Sequence, residues 1–114
     1  MQTLIIINDP PYGTERLYNG LRLAHALLKR DGDVTVFLMG DAVSGTKAGQ
    51  KTPDGFYNIE RMVKRVTTKG RVLLCGTCMD ARGMTDEEVV KGAERSTMDA
   101  LAEATEQADK VLVF

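Results

Sequence analysis

Two cysteines, Cys75 and Cys78, enclose Gly76 and Thr77 in a Cys-Gly-Thr-Cys segment that follows an apolar run. A thiolate is the reactive form of cysteine. Backbone N–H groups at a turn from strand into helix, with a cation such as Arg82 nearby, would draw the pKa of Cys75 down. Gly76 keeps the space beside Cys75 free of a side chain, so a partner molecule can approach. The bland alternative is a packed thiol, because free cysteine is among the most buried residue types and Cys75 closes an apolar strand. Cys78 reads either as a partner thiol or as an incidental cysteine in a turn.

Spacing removes several sharper motifs. A phosphatase or arsenate-reductase loop sets five residues between cysteine and arginine, whereas six separate Cys75 from Arg82 and three separate Cys78 from it. A receiver domain wants an aspartate where Cys75 stands. A flavodoxin-type phosphate loop is rich in Ser, Thr and Gly, but the first loop here carries Pro10 and Pro11. A structural zinc site needs four ligands, and two cysteines with the single His25 fall short. No metal and no other cofactor is expected. The Cys-x-x-Cys pair resembles a dithiol redox motif, although only a short turn, not a long helix, is expected to follow it.

The elements that must hold these residues follow from hydrophobic pattern. Four apolar runs, Leu4 to Ile7, Val34 to Met39, Val72 to Cys75 and Val111 to Phe114, are rich in β-branched residues with little polar alternation. That pattern predicts strands of a parallel sheet, buried on both faces. Helical spacing runs from about Glu15 to Arg30, with Thr14 as cap, Leu17, Leu21, Ala24 and Leu28 on one stripe, and Leu23 and Leu27 on a second. A second helix starts near Asn58 and ends at Gly70. Thr85 to Glu88 reads as a capping box for a third helix that stops by Gly92. A fourth spans about Thr97 to Gln107, and a minor fifth strand fits between Gly92 and Arg95. The expected fold is α/β: an open parallel sheet of four to five strands with helices on both faces, as one domain over residues 1–114.

Ligands of such sheets bind beyond the carboxyl ends of the strands. Three exits supply the candidate substrate- or anion-binding residues: Asn8 and Tyr12 after the first strand, Asp41 after the second, and Gly76, Thr77 and Arg82 after the third. Tyr12, Phe56 and Tyr57 are read as lining a pocket or an interface. Gly40 to Tyr57 is a long irregular stretch, which in a chain this short is functional, interfacial or mobile. His25 falls mid-helix and is read as a packed or half-exposed histidine.

Bulk composition narrows the partners. The 43% hydrophobic content is enough for a real core, and the formal net charge of −1 offers no global attraction for nucleic acid or an anionic membrane. No stretch reads as a spanning helix. With no export signal recognised at Met1 to Leu4, the cysteines are expected in a reducing cytoplasm, where such pairs are more often catalytic, redox-active or metal-binding than structural.

Five stretches together carry a resemblance. They are Pro11-Tyr12-Gly13 with Leu21 to Ala24; Phe37 to Met39 with Asp41 to Val43; Gly49 to Lys51 with Tyr57 to Ile59; Leu74 through Cys78 to Arg82-Gly83; and Ala108 to Leu112. In this order, over essentially the whole chain, the sequence resembles the DsrE/DsrF-like family of small sulfur-handling proteins. The resemblance implies a parallel α/β fold, a homo-oligomer of hexameric kind, and partner proteins that donate and accept sulfur. In the sulfur-relay members an acceptor cysteine lies eight positions before the glycine of an Arg-Gly pair. That geometry selects Cys75, with Arg82-Gly83, and does not select Cys78. The expected function is persulfide carriage on Cys75, with Cys78 as a resolving thiol. Two other readings stand beside it: a thiol-disulfide redox or sensor protein using Cys75 and Cys78, and a non-catalytic assembly module built by Leu23, Leu27 and the long loop, with the cysteines incidental.

Overall fold

Five strands form one parallel sheet in the order β4-β3-β2-β1-β5 in the computed structural model, which describes residues 1–114. The strands are β1 (Gln2–Ile7), β2 (Asp33–Leu38), β3 (Arg71–Cys75), β4 (Ala93–Ser96) and β5 (Lys110–Val113). The helices are α1 (Arg16–Lys29), α2 (Ile59–Thr67), α3 (Gly76–Ala81) and α4 (Met98–Gln107). Each of the first three strands is joined to the next one out, so the chain walks steadily to one edge. It then returns through α4 to lay β5 beside β1.

Alternation along the strands sorts side chains between two layers. Ile7 faces α1, since a methyl group placed on Gly20 would meet its side chain at 2.6 Å. Val34, Val36 and Leu38 share that face by register, and α1 and α2 pack on it and on each other. Leu4, Phe37 and Leu73 point the other way, toward α4, whose only fully buried residue is Leu101. Leu17, Leu21, Ala24 and Leu28 of α1 are all buried, as their spacing requires. The layers therefore differ: α1 and α2 seal one face, and a single helix covers the other.

Local chemistry fixes the ends. The Asn58 side chain accepts the Arg61 N–H at 3.1 Å and starts α2. The Thr97 hydroxyl accepts the Ala100 N–H at 3.1 Å and starts α4. At α1 the N-cap is Glu15 without a side-chain cap, and the Thr14 hydroxyl receives the Arg16 N–H only at 3.4 Å. The capping box at Thr85 exists, with its N–H and hydroxyl on the Glu88 carboxylate at 2.9 and 3.1 Å, but it starts a single 3-10 turn, Asp86–Glu88. The true third helix is α3, directly after Cys75.

One expectation about burial fails. β5 is exposed along its whole length, with Val113 66% exposed. As an edge strand it is paired on one side only, and nothing in this chain covers Val111 or Val113. Apolar sequence told of a strand that wants covering, not of what covers it. Leu23 and Leu27, the second stripe of α1, are only partly buried as well.

The stretch from Gly40 to Tyr57 is held tightly. It opens with a 3-10 helix, Gly40–Thr46. It is then clamped to the segment after α3 by Ala48 N–H to Glu88 C=O and Val90 N–H to Thr46 C=O, each 2.8 Å. Gln50 is its hub. The Gln50 amide donates to the carbonyls of Gly45 and Lys47 at 2.8 and 2.9 Å, and its backbone N–H donates to Glu60 at 2.8 Å. Burial alone would raise the Glu60 carboxyl, but N–H groups of Gln50 and Gly49 and the Lys64 ammonium outweigh it and hold the pKa below its ordinary value. A depressed carboxylate stabilises the fold at pH values above its unfolded pKa, and that stabilisation is lost as pH falls through the folded pKa. Glu60→Gln is therefore expected to cost about 1–2 kcal/mol at neutral pH and nearly nothing at the acid end. Urea midpoints measured across that range check it, and a cost independent of pH would contradict the assignment.

Candidate functional site

Adjacent strands β3 and β4 send the chain to different layers. After β3 the chain enters α3, which packs on the 3-10 segment Gly40–Thr46 beside α2; after β4 it enters α4 on the far face. The crevice between diverging exits is where an open α/β sheet binds ligands. Cys75 ends β3 there, level with Ser96 of β4.

Cys75 is the N-cap of α3, and its sulfur accepts the Cys78 N–H at 3.4 Å. It is 7% exposed. Cys78, one turn on, is half-buried, and its sulfur accepts the Gly40 N–H at 3.1 Å. Both thiols are free. Burial pushes the Cys75 thiol up from its ordinary pKa, and its hydrogen bond to the Cys78 sulfur adds to this. The N–H groups of Cys78 and Thr77 pull the other way without prevailing. The expected lowering of this pKa is thus corrected. The amides are where they were expected, but desolvation of the charged form outweighs them.

Arg82 is also differently employed. Its Nε and Nη2 hold Asp41 at 2.8 and 2.7 Å, and Nη1 donates to the Cys78 carbonyl at 3.0 Å. A guanidinium spent on a carboxylate and a carbonyl latches the second exit loop to α3 and is not available as the expected counter-ion for sulfur. Asp41 belongs to that latch. Thr77 is exposed on the first turn of α3, and Gly76 is buried against β4, where a Cβ would lie 3.1 Å from the Ser96 carbonyl.

Asn8 and Tyr12 do not join the cysteines. Asn8 donates backbone and side-chain N–H groups to the Phe114 carbonyl at 3.1 and 3.3 Å, tying β1 to the end of β5. Tyr12, at φ 66, bonds Gln50 and accepts the Ile59 N–H at 3.0 Å. Its ring stacks on Tyr57, which stacks on Tyr18 at 4.1 Å between centroids, while Phe56 is exposed. The stacked tyrosines thus pin the long loop to α1, with Tyr12 and Phe56 exposed at the surface. His25 is half-buried and shares a hydrogen bond with the Met62 carbonyl.

Two residues of the site carry no signal in sequence. Gly40, at φ +56, turns after β2 so that its N–H reaches Cys78; a Cβ there would sit 3.2 Å from the Asn8 carbonyl. Arg95, on β4, donates to the Gly76 carbonyl at 3.2 Å and to Asp80 and Asp86 at 3.0 and 2.9 Å. The concave spaces lie elsewhere. One, of about 210 Å³, is lined by His25, Lys29, Arg65, Thr68 and Lys69, where basic side chains complement the ends of α1 and α2. No cluster of three or more His, Cys, Asp or Glu side chains is placed to hold a metal ion. No helix is long and apolar enough to cross a membrane.

Comparison with known proteins agrees with this architecture. The chain is 44% identical to protein YchN of Escherichia coli (strain K12), with both chains covered completely. The crystal structure of the Escherichia coli ychN protein superposes with a TM-score of 0.92 over the full length of both. The sulfurtransferase TusD of Salmonella typhi is 27% identical, again with full coverage of both. A protein of unknown function from Methanobacterium thermoautotrophicum, MTH1491, shares the fold at a TM-score of 0.78 and 13% identity, with 97% of each chain covered. Residues 1–114 match the sequence pattern of one family from end to end, and the chain belongs to it: the DsrE/DsrF-like family.

Proposed function

We propose that this chain is a sulfur carrier that accepts sulfane sulfur on Cys75 and passes it to a partner thiol. The observation that carries the reading is the placement of two free thiols at the exit of β3, one capping a helix and each receiving a backbone N–H. The family supports it, as does the resemblance to a protein named a sulfurtransferase. The Cys75 thiolate attacks the outer sulfur of a donor persulfide, R–S–SH. A new S–S bond forms on Cys75, the donor S–S bond breaks, and the donor leaves as R–S⁻. Attack by an acceptor thiolate on the same outer sulfur repeats the exchange and returns Cys75 to thiolate. No net oxidation occurs.

The partners of this reading are a donor protein and an acceptor protein in the cytoplasm, and further copies of the chain in a hexamer. The uncovered apolar side chains of β5 and the half-covered Leu23 and Leu27 support assembly. A thiol-disulfide redox role is the second reading, favoured by two free thiols one helical turn apart, with the Cys78 N–H on the Cys75 sulfur. Loading the reduced protein from a persulfide-bearing sulfurtransferase, followed by mass spectrometry and light scattering, tests the first. The expected products are a Cys75 peptide heavier by one sulfur atom and a particle of six chains. A folded, reduced protein that takes up no sulfur ends the carrier reading and leaves the redox one. A monomer ends the hexamer.

A further inference from the structure

Arg95 lies outside the cysteine loop, on the neighbouring strand, yet one of its three bonds reaches the first peptide of α3. Its Nη1 donates to the Gly76 carbonyl at 3.2 Å. The other end of that peptide unit is the Thr77 N–H, in the same first turn as the Cys78 N–H that donates to the capping Cys75 sulfur at 3.4 Å. Carbonyl and N–H are fixed in one plane, so gripping the oxygen sets the direction of the hydrogen. A cation on the oxygen also polarises the unit and strengthens the N–H as a donor.

The guanidinium is itself held from two further sides, by Asp86 at 2.9 Å from Nε and by Asp80 at 3.0 Å from Nη1. Those bonds leave it charged and aimed. Gly76 lets it approach: a Cβ at that position would lie 3.2 Å from both Cγ and Nη1 of Arg95. Arg95 thus joins β4 to both ends of α3, through Gly76 and Asp80, and to the turn before β4, through Asp86.

We infer that Arg95 is a positioning residue for the Cys75 sulfur, acting through the Gly76–Thr77 peptide to fix the first turn of α3, whose Cys78 amide stabilises the anionic sulfur. The inference rests on Cys75 being the reacting thiol of the proposed function, and it deepens that reading with a device in β4. It assigns Asp80 and Asp86 as holders of the guanidinium. The charged and titratable groups around Cys75 are then Cys78 on α3, the Arg82–Asp41 latch on the second exit loop, and Arg95 with Asp80 and Asp86 on the β4 side.

Alkylation of Cys75 by iodoacetamide across pH, in a Cys78→Ser background, reads the thiolate directly and needs no sulfur donor. Arg95→Gln is expected to slow the reaction near neutral pH by about two- to tenfold and to move its midpoint upward. Arg95→Gln combined with Asp80→Asn and Asp86→Asn is expected to stay slow, because the loss is of a fixed first turn and not of balance among surface charges. Arg95→Lys, with one ammonium for three partners, is expected to fall between parent and Arg95→Gln. Circular dichroism and urea midpoints confirm that each variant is folded. An Arg95→Gln profile identical to the parent overturns the inference. Recovery of the parent rate in the triple variant, or in Arg95→Lys, also overturns it by showing that charge alone suffices. Sulfur uptake by the wild-type chain is a separate readout, so the carrier reading and the role of Arg95 stand or fall separately.

Discussion

A chain with serine at position 75 is expected to take up no sulfane sulfur, whereas serine at position 78 leaves uptake intact and lengthens the life of the adduct. Only Cys75 caps α3 at the end of β3, level with Ser96 of β4, so its removal deletes the attacking atom outright. Cys78 has a different part. As thiolate it attacks the inner sulfur of the Cys75 persulfide, joins it in a disulfide, and expels hydrosulfide with the bonding electrons. Wild-type protein left without an acceptor should therefore release sulfide and accumulate an internal disulfide, which a dithiol reductant reopens. Cys78→Ser should do neither. Because burial holds the Cys75 thiol above its ordinary pKa, the reactive thiolate is a minor form at neutral pH. Uptake should then rise about tenfold for each unit of pH below that pKa. Mass spectrometry at intervals after loading, with sulfide measured in parallel, checks all of this. Equal uptake by Cys75→Ser would move the chemistry to Cys78.

Phe37→Ala is expected to remove about 3–5 kcal/mol, a large part of a domain's usual margin of about 5–15 kcal/mol. Phe37 is fully buried in β2, level with Ile6 of β1 and Leu73 of β3, on the face that α4 alone covers. Strand backbones on both sides are fixed by their ladders and cannot close the space an absent ring leaves. In urea the midpoint should fall while the slope stays constant. A cost under about 1.5 kcal/mol would mean that α4 settles into the gap.

Much of this arrangement is legible in sequence, for reasons that particular residues make plain. Apolar runs mark four of the five strands, because inner parallel strands in a small protein have few polar positions to spare, whereas the edge strand β4 is mostly polar. Asn58 and Thr97 announce their helices through side chains that bond the next turn. Thr85 announces a helix by the same chemistry and delivers one turn, since a cap signals a start and says nothing of length. The strand exit places Cys75 where a site belongs. What sequence hides is whichever group comes from another element. Arg82 reads as a cation for the sulfur until Asp41, 41 residues away, is seen to claim it. Arg95 reads as an ordinary charge on a minor strand, and Gly40 as a loop glycine. Their roles exist only once β3 lies between β2 and β4. The exposure of β5 is hidden for the complementary reason: a pattern records the need for burial but not the element that meets it.

The pairing of β1 with β5 has a bearing on how the molecule is made. Thr3 lies opposite Lys110, so the first strand is completed on its outer side only by the last. During synthesis the steps from β1 to β4 can be taken in order, each strand docking on its predecessor, while one edge of β1 waits through nearly the whole chain. Closing so long a loop costs little in equilibrium terms, about 0.6 kcal/mol for each doubling of length, but contacts of such span slow the search. Leu4, Ile5, Ile6 and Ile7 are therefore on offer to any other strand until β5 arrives, and the last few residues of the chain act as the seam that ends that exposure.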